Sequence, residues 1–104
     1  MGSKENRVEQ RLVNGVKALG GVTFKFISPG AAGVPDRVVI LPGGTVHFVE
    51  LKAEGAVPSR LQLRRLKQLR QLDATALVLT GQSGVERYLD NLRTNIVCEE
   101  LMNE

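Results

Sequence analysis

Two apolar segments around a tight turn restrict the fold of this chain more than any other feature. Arg37–Leu41 and Thr45–Leu51 flank a Pro-Gly-Gly sequence, which predicts a β-hairpin. Asp36 begins the first strand, and Glu50 and Lys52 stand at the end of the second. Antiparallel pairing brings both carboxylates to one end of the hairpin, and side chains two residues apart share a strand face. The pattern predicts a site for a hard divalent cation and an activated water molecule.

The segment before the hairpin predicts a helix from about Lys4 to Leu19, because apolar residues recur there at helical spacing. Glu5 also falls within the apolar arc, but an acid in the first turn complements the helix dipole. Glu9 lies a turn further in, where that explanation is weaker, so we predict that Glu9 reaches the site. The apolar positions of the helix are Val8, Leu12, Val16 and Leu19.

The next segment, Val22–Ile27, alternates enough to predict a strand after the Gly20-Gly21 helix end. Lys25 lies between two phenylalanines and faces either the site or solvent. Ser28–Pro35 is rich in glycine and proline and predicts a loop that delivers Asp36. Its small residues would let a backbone phosphate approach closely. These small residues are Gly30, Ala31 and Ala32.

After the hairpin, Ser59 is a plausible N-cap for a helix that continues to about Asp73. Gln62 falls near the centre of a leucine arc, where a long amide needs polar partners, so we predict that it reaches a polar site beneath the helix. The segment Arg60–Arg70 holds five cations and no acid, which favours phosphate contact over a merely solvated surface. The arc predicted to be buried contains Leu61, Leu63, Leu66, Leu69 and Leu72.

The rest of the chain predicts a short apolar strand at Ala74–Thr80, central and parallel to a neighbour, followed by a final helix. The order is then helix, three strands, helix, strand, helix, in one α/β domain with a mixed sheet. We expect this domain to occupy residues 1–104, with a core from about 5 to 92. His47 lies on the strand face opposite Glu50 and is interpreted as a structural or surface residue, not as a metal ligand.

Charge is unevenly distributed along the chain. Residues 1–73 carry 12 basic and 6 acidic side chains, whereas residues 74–104 carry 2 basic and 5 acidic ones. A basic field around the predicted site favours a polyanionic substrate such as nucleic acid. No run is long enough to span a membrane, no leader indicates secretion, and the single Cys98 is typical of a reducing cytoplasm.

The sequence resembles a nuclease family at several separate places. Asp36, thirteen intervening residues and Glu50-Leu-Lys52 resemble the PD-(D/E)XK pattern, with Pro35 as its leading proline. The loop from Ser28 to Arg37, the Pro-Gly-Gly hairpin, Phe48–Ala53, Ser59 with Gln62, and the helix bearing Glu9 are similar to the VRR-NUC branch of that superfamily. The similarity runs from about Glu5 to Leu89. Ala31-Ala32 depart from it, because many relatives carry a basic residue there.

The resemblance implies a restriction-endonuclease-like αβββαβ core with a C-terminal helix, and Mg²⁺-dependent hydrolysis of DNA phosphodiesters, with Mn²⁺ as a substitute. It implies that Asp36, Glu50 and the Leu51 backbone carbonyl bind the metal, and that Glu9 binds the same ion through water or helps to hold a second one. Lys52 and Gln62 complete the catalytic set. No organic cofactor is expected. The residues expected to contact DNA are Lys25, Ser28, Gly30, Arg37, Arg60, Arg64 and Lys67.

Small VRR-NUC proteins that stand alone often come from phages, and they resemble enzymes that cut branched DNA as homodimers. The resemblance therefore implies four-way junctions as the substrate of this chain and the bacterial host cytoplasm as its location. The alternatives are a flap, nicking or single-strand nuclease, a catalytically silent DNA-binding module, and an enzyme acting on small phosphoesters. A dimer contact is predicted at the tail from Ile96 to Met102 and the outer edge of the last helix. That helix carries apolar residues at Val85, Tyr88, Leu89 and Leu92.

Overall fold

The computed structural model describes the backbone of residues 4–102 and the side chains of residues 6–95. Its elements follow the predicted order of helix, three strands, helix, strand, helix. In chain order they are α1 (Lys4–Ala18), β1 (Val22–Lys25), β2 (Arg37–Leu41), β3 (Thr45–Lys52), α2 (Arg60–Gln71), β4 (Thr75–Thr80) and α3 (Gly81–Met102). The structure thus confirms the α/β class.

The four strands form one mixed sheet in the order β1-β2-β3-β4. The pairs β1–β2 and β2–β3 are antiparallel, whereas β4 lies parallel to β3 after the crossover through α2. The prediction that β4 is central is wrong, because β4 forms an edge of the sheet. Ala76 and Leu79 are nevertheless buried, since α2 covers one face of this strand and α3 covers the other.

The main core lies between the sheet and the helices α1 and α3. A side chain at Gly15 would clash with Leu89, which shows how closely the two helices approach. All four apolar residues named for a dimer contact on α3 belong to this core and are not available to a partner. The core residues are Val8, Leu12, Val16, Val39, Leu41, Val49, Leu51, Leu79, Val85, Tyr88, Leu89 and Leu92. The other part of the predicted dimer contact, the side chains from Ile96 to Met102, lies outside the described side chains.

The opposite face of the sheet is covered by α2, but only over its β4 side. Leu66 is the one residue of α2 that is buried, while Leu63 and Leu72 are 52% and 77% exposed. The prediction of a buried arc of five leucines is therefore wrong. A helix that packs over an edge strand needs only a narrow apolar stripe. Leu61, at the start of α2, instead packs against Gly33 of the loop before β2.

The remainder of that sheet face is open. Val22, Phe24 and Val46 point to this side and are 43%, 57% and 42% exposed. The register places Val38, Ile40 and Phe48 on the same side, opposite these residues on neighbouring strands. We call these six side chains the open sheet face. Within the described helices, none has the length and apolar character needed to cross a bilayer.

Candidate active site

Two carboxylates meet where β2 begins and β3 ends, as the hairpin predicts. Asp36 directly precedes β2, and its Oδ1 accepts a hydrogen bond from the backbone N–H of Leu51 at 3.1 Å. Glu50 lies in β3 with 4% of its surface exposed, whereas Asp36 opens to solvent. The Asp36 carbonyl also accepts a hydrogen bond from the Phe26 N–H at 2.8 Å, which closes the loop from residue 27 to residue 35. The backbone therefore holds the two acids together.

The pKa values of both acids are raised. Burial raises the pKa of Glu50, the neighbouring charge of Asp36 adds to the rise, and the Lys52 ammonium opposes it. Desolvation also raises the pKa of Asp36, against hydrogen bonds from the backbone and the charge of Arg37. Two neighbouring acids whose pKa values are raised by burial and by nearby negative charge favour a bound cation.

Lys52 and Gln62 both reach the same oxygen of Glu50. The Lys52 Nζ lies 3.5 Å from Glu50 Oε2, and the Gln62 Nε2 donates to that oxygen at 3.3 Å. Lys52 comes from the strand that carries Glu50, and Gln62 comes from the first turn of α2. The prediction that Gln62 points to a polar site beneath its helix is confirmed for its position.

Gln62 also helps to start α2. Its Oε1 accepts the backbone N–H of Ser59 at 2.8 Å, and its own N–H donates to Ser59 Oγ at 3.1 Å, which forms a complete capping box. The two ends of one amide therefore serve two purposes. The oxygen caps the helix, and the nitrogen donates to the Glu50 carboxylate.

This dual use predicts that Gln62→Ala and Gln62→Glu differ in stability but share a loss of activity. Glutamate keeps the capping acceptor but replaces the donor to Glu50 with a carboxylate oxygen, so kcat should fall about tenfold or more, and like-charge repulsion should lower the melting temperature at pH 8 more than at pH 5. Alanine loses the cap, so it should lower kcat and the melting temperature at both pH values. Ser59→Ala is the matched control, because it weakens the cap and keeps the contact to Glu50. Unchanged kcat in both Gln62 variants would contradict a role in the site.

Glu9 lies beside the acid pair but is held from another direction. Its Oε1 is 2.6 Å from Arg37 Nη1 and 4.0 Å from Lys25 Nζ. Its charge contributes to the raised pKa of Asp36, so the three acids share one electrostatic environment. α1 therefore reaches the site, as the sequence predicts, and the burial of Arg37 accounts for the carboxylate in an apolar helical arc.

Arg37 requires a correction. The resemblance places it among the residues that contact DNA, but it is 6% exposed and its guanidinium bonds to Glu9 and Thr23. Because β2 alternates, Arg37 shares a face with Val39 and Leu41, which belong to the core. In the sequence, this alternation was the feature that indicated an Arg37 side chain facing the core.

Asn6 is a residue of this site that sequence reasoning missed. It lines a cavity of about 110 Å³ together with Glu9, Asp36 and Lys52. Asn6 lies three residues before Glu9, and that spacing places both side chains on one face of α1. The spacing was the only signal, and it is weak for an amide near a helix start.

The other residues predicted to contact DNA lie on β1, on the loop before β2 and on α2. Lys25 is 70% exposed beside Glu9, and space is open around Gly30, where an added Cβ would meet nothing within 4 Å. Ser28 is half-buried and its carbonyl accepts a hydrogen bond from the Ala31 N–H, at the start of the loop. On α2, the side chains of Arg60, Arg64 and Lys67 are exposed.

Two other cations of α2 have structural contacts. Arg65 Nε donates to the Ala32 carbonyl at 2.9 Å and so ties the loop to the helix. Arg70 Nε donates to the Ala76 carbonyl at 2.8 Å. The cations left to form the basic outer face of α2 are therefore Arg60, Arg64 and Lys67.

Comparisons with known proteins identify relatives of this chain. The chain is 46% identical over 79 residues to the candidate nuclease p44 of the Acyrthosiphon pisum secondary endosymbiont phage 1, covering 76% of this chain and 85% of p44. A solved VRR-NUC domain superposes with a TM-score of 0.81 at 34% identity, covering 86% of this chain and 97% of that domain. The chain belongs to the VRR-NUC nuclease family.

A second solved VRR-NUC domain protein shares the fold, with a TM-score of 0.67 at 18% identity over 88% of each chain. No family model matches the sequence. The recognition of a VRR-NUC domain from the hairpin, the loop and the two polar helix residues is confirmed, together with the mixed sheet of the fold.

The donor set of this VRR-NUC domain fits a hard divalent cation. Asp36 and Glu50 offer carboxylate oxygens, and the Leu51 carbonyl is a further oxygen ligand of the kind that Mg²⁺ accepts. Among the side chains described, no group of three His, Cys, Asp or Glu residues converges on one point. The fit therefore rests on two acids, with Glu9 drawn aside by Arg37.

The raised pKa of Glu50 predicts that this VRR-NUC domain gains stability when the acid is neutralised. A carboxyl with a raised pKa stabilises the fold while it is protonated, and this stability is lost as the pH rises through the raised pKa. Glu50→Gln should therefore melt at a higher temperature than wild type at pH 8 in chelator, with a smaller difference at pH 5. Asp90→Asn, at an exposed acid, is the control. A lower melting temperature for Glu50→Gln at pH 8 would refute this account.

Proposed function

We propose that this VRR-NUC domain is a Mg²⁺-dependent endonuclease that hydrolyses phosphodiester bonds in branched DNA, with four-way junctions as its main substrate. The observation that carries the proposal is the contact of Lys52 and Gln62 with one oxygen of Glu50, beside Asp36. A protein that only binds DNA has no use for two acids with raised pKa values at a strand end. The relationship to p44, itself described as a candidate nuclease, supports the same conclusion.

Each residue has a role in this proposal. Asp36, Glu50 and the Leu51 carbonyl hold the cation, and Mn²⁺ can take the place of Mg²⁺. When bound, the cation would neutralise negative charge on the phosphate and would lower the pKa of the attacking water. Lys52 donates hydrogen bonds to that water and to the phosphate oxygens, where negative charge develops. Gln62 fixes the Glu50 carboxylate to which Lys52 is paired.

The reaction itself is a displacement at phosphorus. A bond forms from the water oxygen to phosphorus as one ester P–O bond breaks. The attacking water gives a proton to solvent, and the leaving sugar oxygen takes a proton from solvent to become a hydroxyl group. Glu9 orients the site from α1, and the exposed cations of α2 hold the DNA backbone close to the acids.

One assay tests the substrate. The purified protein is incubated with Mg²⁺ or Mn²⁺ and with linear duplex, single-stranded, nicked, flap and four-way-junction DNA of one sequence. We expect junctions to be cut at least tenfold faster than linear duplex, and no cutting in chelator. Preferred cutting of flaps or single strands would replace the junction assignment. DNA binding without any cutting would refute the nuclease proposal, and phosphate release from small esters alone would refute the DNA substrate.

Paired cutting of a junction requires two sites, and we propose that a second copy of the chain supplies the other. A closed two-fold dimer is the commonest way to provide one. The open sheet face is the surface that a second copy would cover, because six apolar side chains on three strands favour burial. We place the active dimer in the cytoplasm of a bacterial host, because p44 belongs to a phage.

The dimer proposal predicts that Phe24→Asp produces monomers of 11.3 kDa, while wild type sediments at twice that mass. Phe24 is 57% exposed, so the charge should disturb the dimer and leave the fold intact. Leu72→Asp is the matched control, since Leu72 is 77% exposed at the C-terminal end of α2, which packs over β4 at the opposite edge of the sheet from Phe24. Phe24→Asp should still nick DNA but lose paired cuts. A wild-type monomer that makes paired cuts would exclude this role for a dimer.

A further inference from the structure

The contacts of Arg37 set it apart from the other cations of the chain. Its side chain is 7% exposed, and Nη1 lies 2.6 Å from Glu9 Oε1. Its Nε donates to Thr23 Oγ1 and its Nη2 to the Thr23 carbonyl, both at 3.3 Å. Three nitrogens of one guanidinium are therefore engaged between β1 and α1. This geometry holds Glu9 in one orientation, because a rigid planar guanidinium fixes the groups that it binds.

Arg37 also follows Asp36 directly in the chain. The charge of Arg37 lowers the pKa of Asp36, and the charge of Glu9 raises it. Arg37 is therefore in electrostatic contact with two of the three acids of the site. Breaking a buried ion pair leaves an uncompensated charge, so the loss of Arg37 would be felt by both acids.

The charges of the site can be counted from these contacts. Taken as formal charges, Glu9, Asp36 and Glu50 contribute three negative charges, and their ion-pair partners Arg37 and Lys52 contribute two positive charges. Lys25 reaches Glu9 only at 4.0 Å and is 70% exposed, so solvent screens it. The site thus has one net negative charge. One divalent cation changes this to one net positive charge, which a single phosphodiester neutralises, whereas two cations would leave three positive charges.

We propose that Arg37 is a positioning residue that holds Glu9 and cancels its charge, so that each chain loads one divalent cation rather than two. The positive charge of Arg37 offsets the negative charge of Glu9, which a second metal ion would otherwise offset. One oxygen of Glu9 is used by Arg37, and the other remains for water or the cation. The inference rests on the proposed metal-dependent nuclease function.

The test measures Mn²⁺ binding to the full chain by calorimetry without DNA, beside kcat for junction cleavage. Wild type should bind one ion per chain. Arg37→Met should bind Mn²⁺ about tenfold more tightly, because a cation near the site is removed, while kcat falls at least tenfold because Glu9 loses its orientation. Tighter metal binding with slower cleavage is a combination that a merely unstable variant would not show.

Two further variants complete a cycle. Glu9→Gln should weaken Mn²⁺ binding about tenfold and still bind one ion, since a negative charge is lost. Arg37→Met with Glu9→Gln restores the net charge, so its affinity should return to within about threefold of wild type. Arg11→Met is the matched control, because Arg11 pairs with Glu86 on α3 away from the acids. It should leave metal binding and kcat unchanged.

The outcomes separate this inference from the proposed function. Two ions per wild-type chain, with one lost in Glu9→Gln, would overturn the role of Arg37. A folded Arg37→Met with unchanged or weaker Mn²⁺ binding would do the same. If Arg37→Met does not fold, Arg37→Lys decides: it should keep one ion at wild-type affinity with lower kcat, and unchanged kcat would overturn the inference. If the wild-type chain binds no more Mn²⁺ than Asp36→Asn does, the proposed function itself is refuted.

Discussion

Alanine at Asp36, Glu50 or Lys52 is expected to lower kcat for DNA cleavage by about a thousandfold or more. The two acids are the carboxylates that meet at the end of the hairpin, and the Lys52 ammonium lies 3.5 Å from Glu50 Oε2. Removing either acid leaves one carboxylate for the cation. Removing Lys52 takes away the positive charge beside the reacting phosphate. Single-turnover cleavage in Mg²⁺ measures the loss.

The controls for these variants separate catalysis from folding. Each variant should keep a native circular dichroism spectrum and bind junction DNA with an affinity within about threefold of wild type, because the phosphate contacts are placed on α2 and the loop. Asp90→Ala, an exposed acid paired with Arg93, should leave kcat unchanged. Wild-type turnover in a folded variant of any of the three residues would remove the site assignment.

Reversing the charges of Arg60, Arg64 and Lys67 is expected to weaken DNA binding roughly a hundredfold at low salt. All three side chains are exposed on the outer face of α2. For duplex DNA, the log–log slope of affinity against salt falls by about 0.9 for each phosphate that the protein no longer neutralises, so the slope should fall by about 2 to 3. Fluorescence anisotropy over a range of salt concentrations measures both quantities.

The matched control for this face is Arg87→Glu, which reverses an exposed cation on α3, on the other side of the sheet. Its slope should be unchanged. The triple variant should remain folded, because Glu at Arg60, the first residue of α2, complements the helix dipole and the buried stripe around Leu66 is untouched. A wild-type slope in the triple variant would mean that this face is only solvated.

Local patterns were sufficient to predict the hairpin and its acids. The bounds of β2 agree with the prediction, and β3 extends it by one residue, because the Pro-Gly-Gly turn and the alternation of apolar residues specify both strands. Glu9 and Gln62 were found for a different reason. Each is a polar side chain on an apolar helix face, and such residues have partners that the helix itself does not contain.

The patterns failed where the neighbouring element decided the outcome. The apolar sequence of β4 is the same for a central strand and for an edge strand covered by helices on both faces, so its position could not be inferred. The leucines of α2 form an arc, but the sheet beneath the helix is narrow, and Leu63 and Leu72 stay exposed. Whether a helical arc is buried depends on the width of the surface that it meets.

The turn between β2 and β3 has a consequence for the active site, although it lies at the far end of the hairpin, about 20 Å away along the strand. Gly43 and Gly44 adopt φ values of 89° and 85°, which pair Leu41 with Thr45 and Arg37 with Val49. A slip of one residue would turn Glu50 towards the hydrophobic core and Val49 towards α2. An inserted residue that shifted this register by one position would therefore disable the enzyme as completely as removing an acid, which makes the length of the turn a determinant of where Glu50 points.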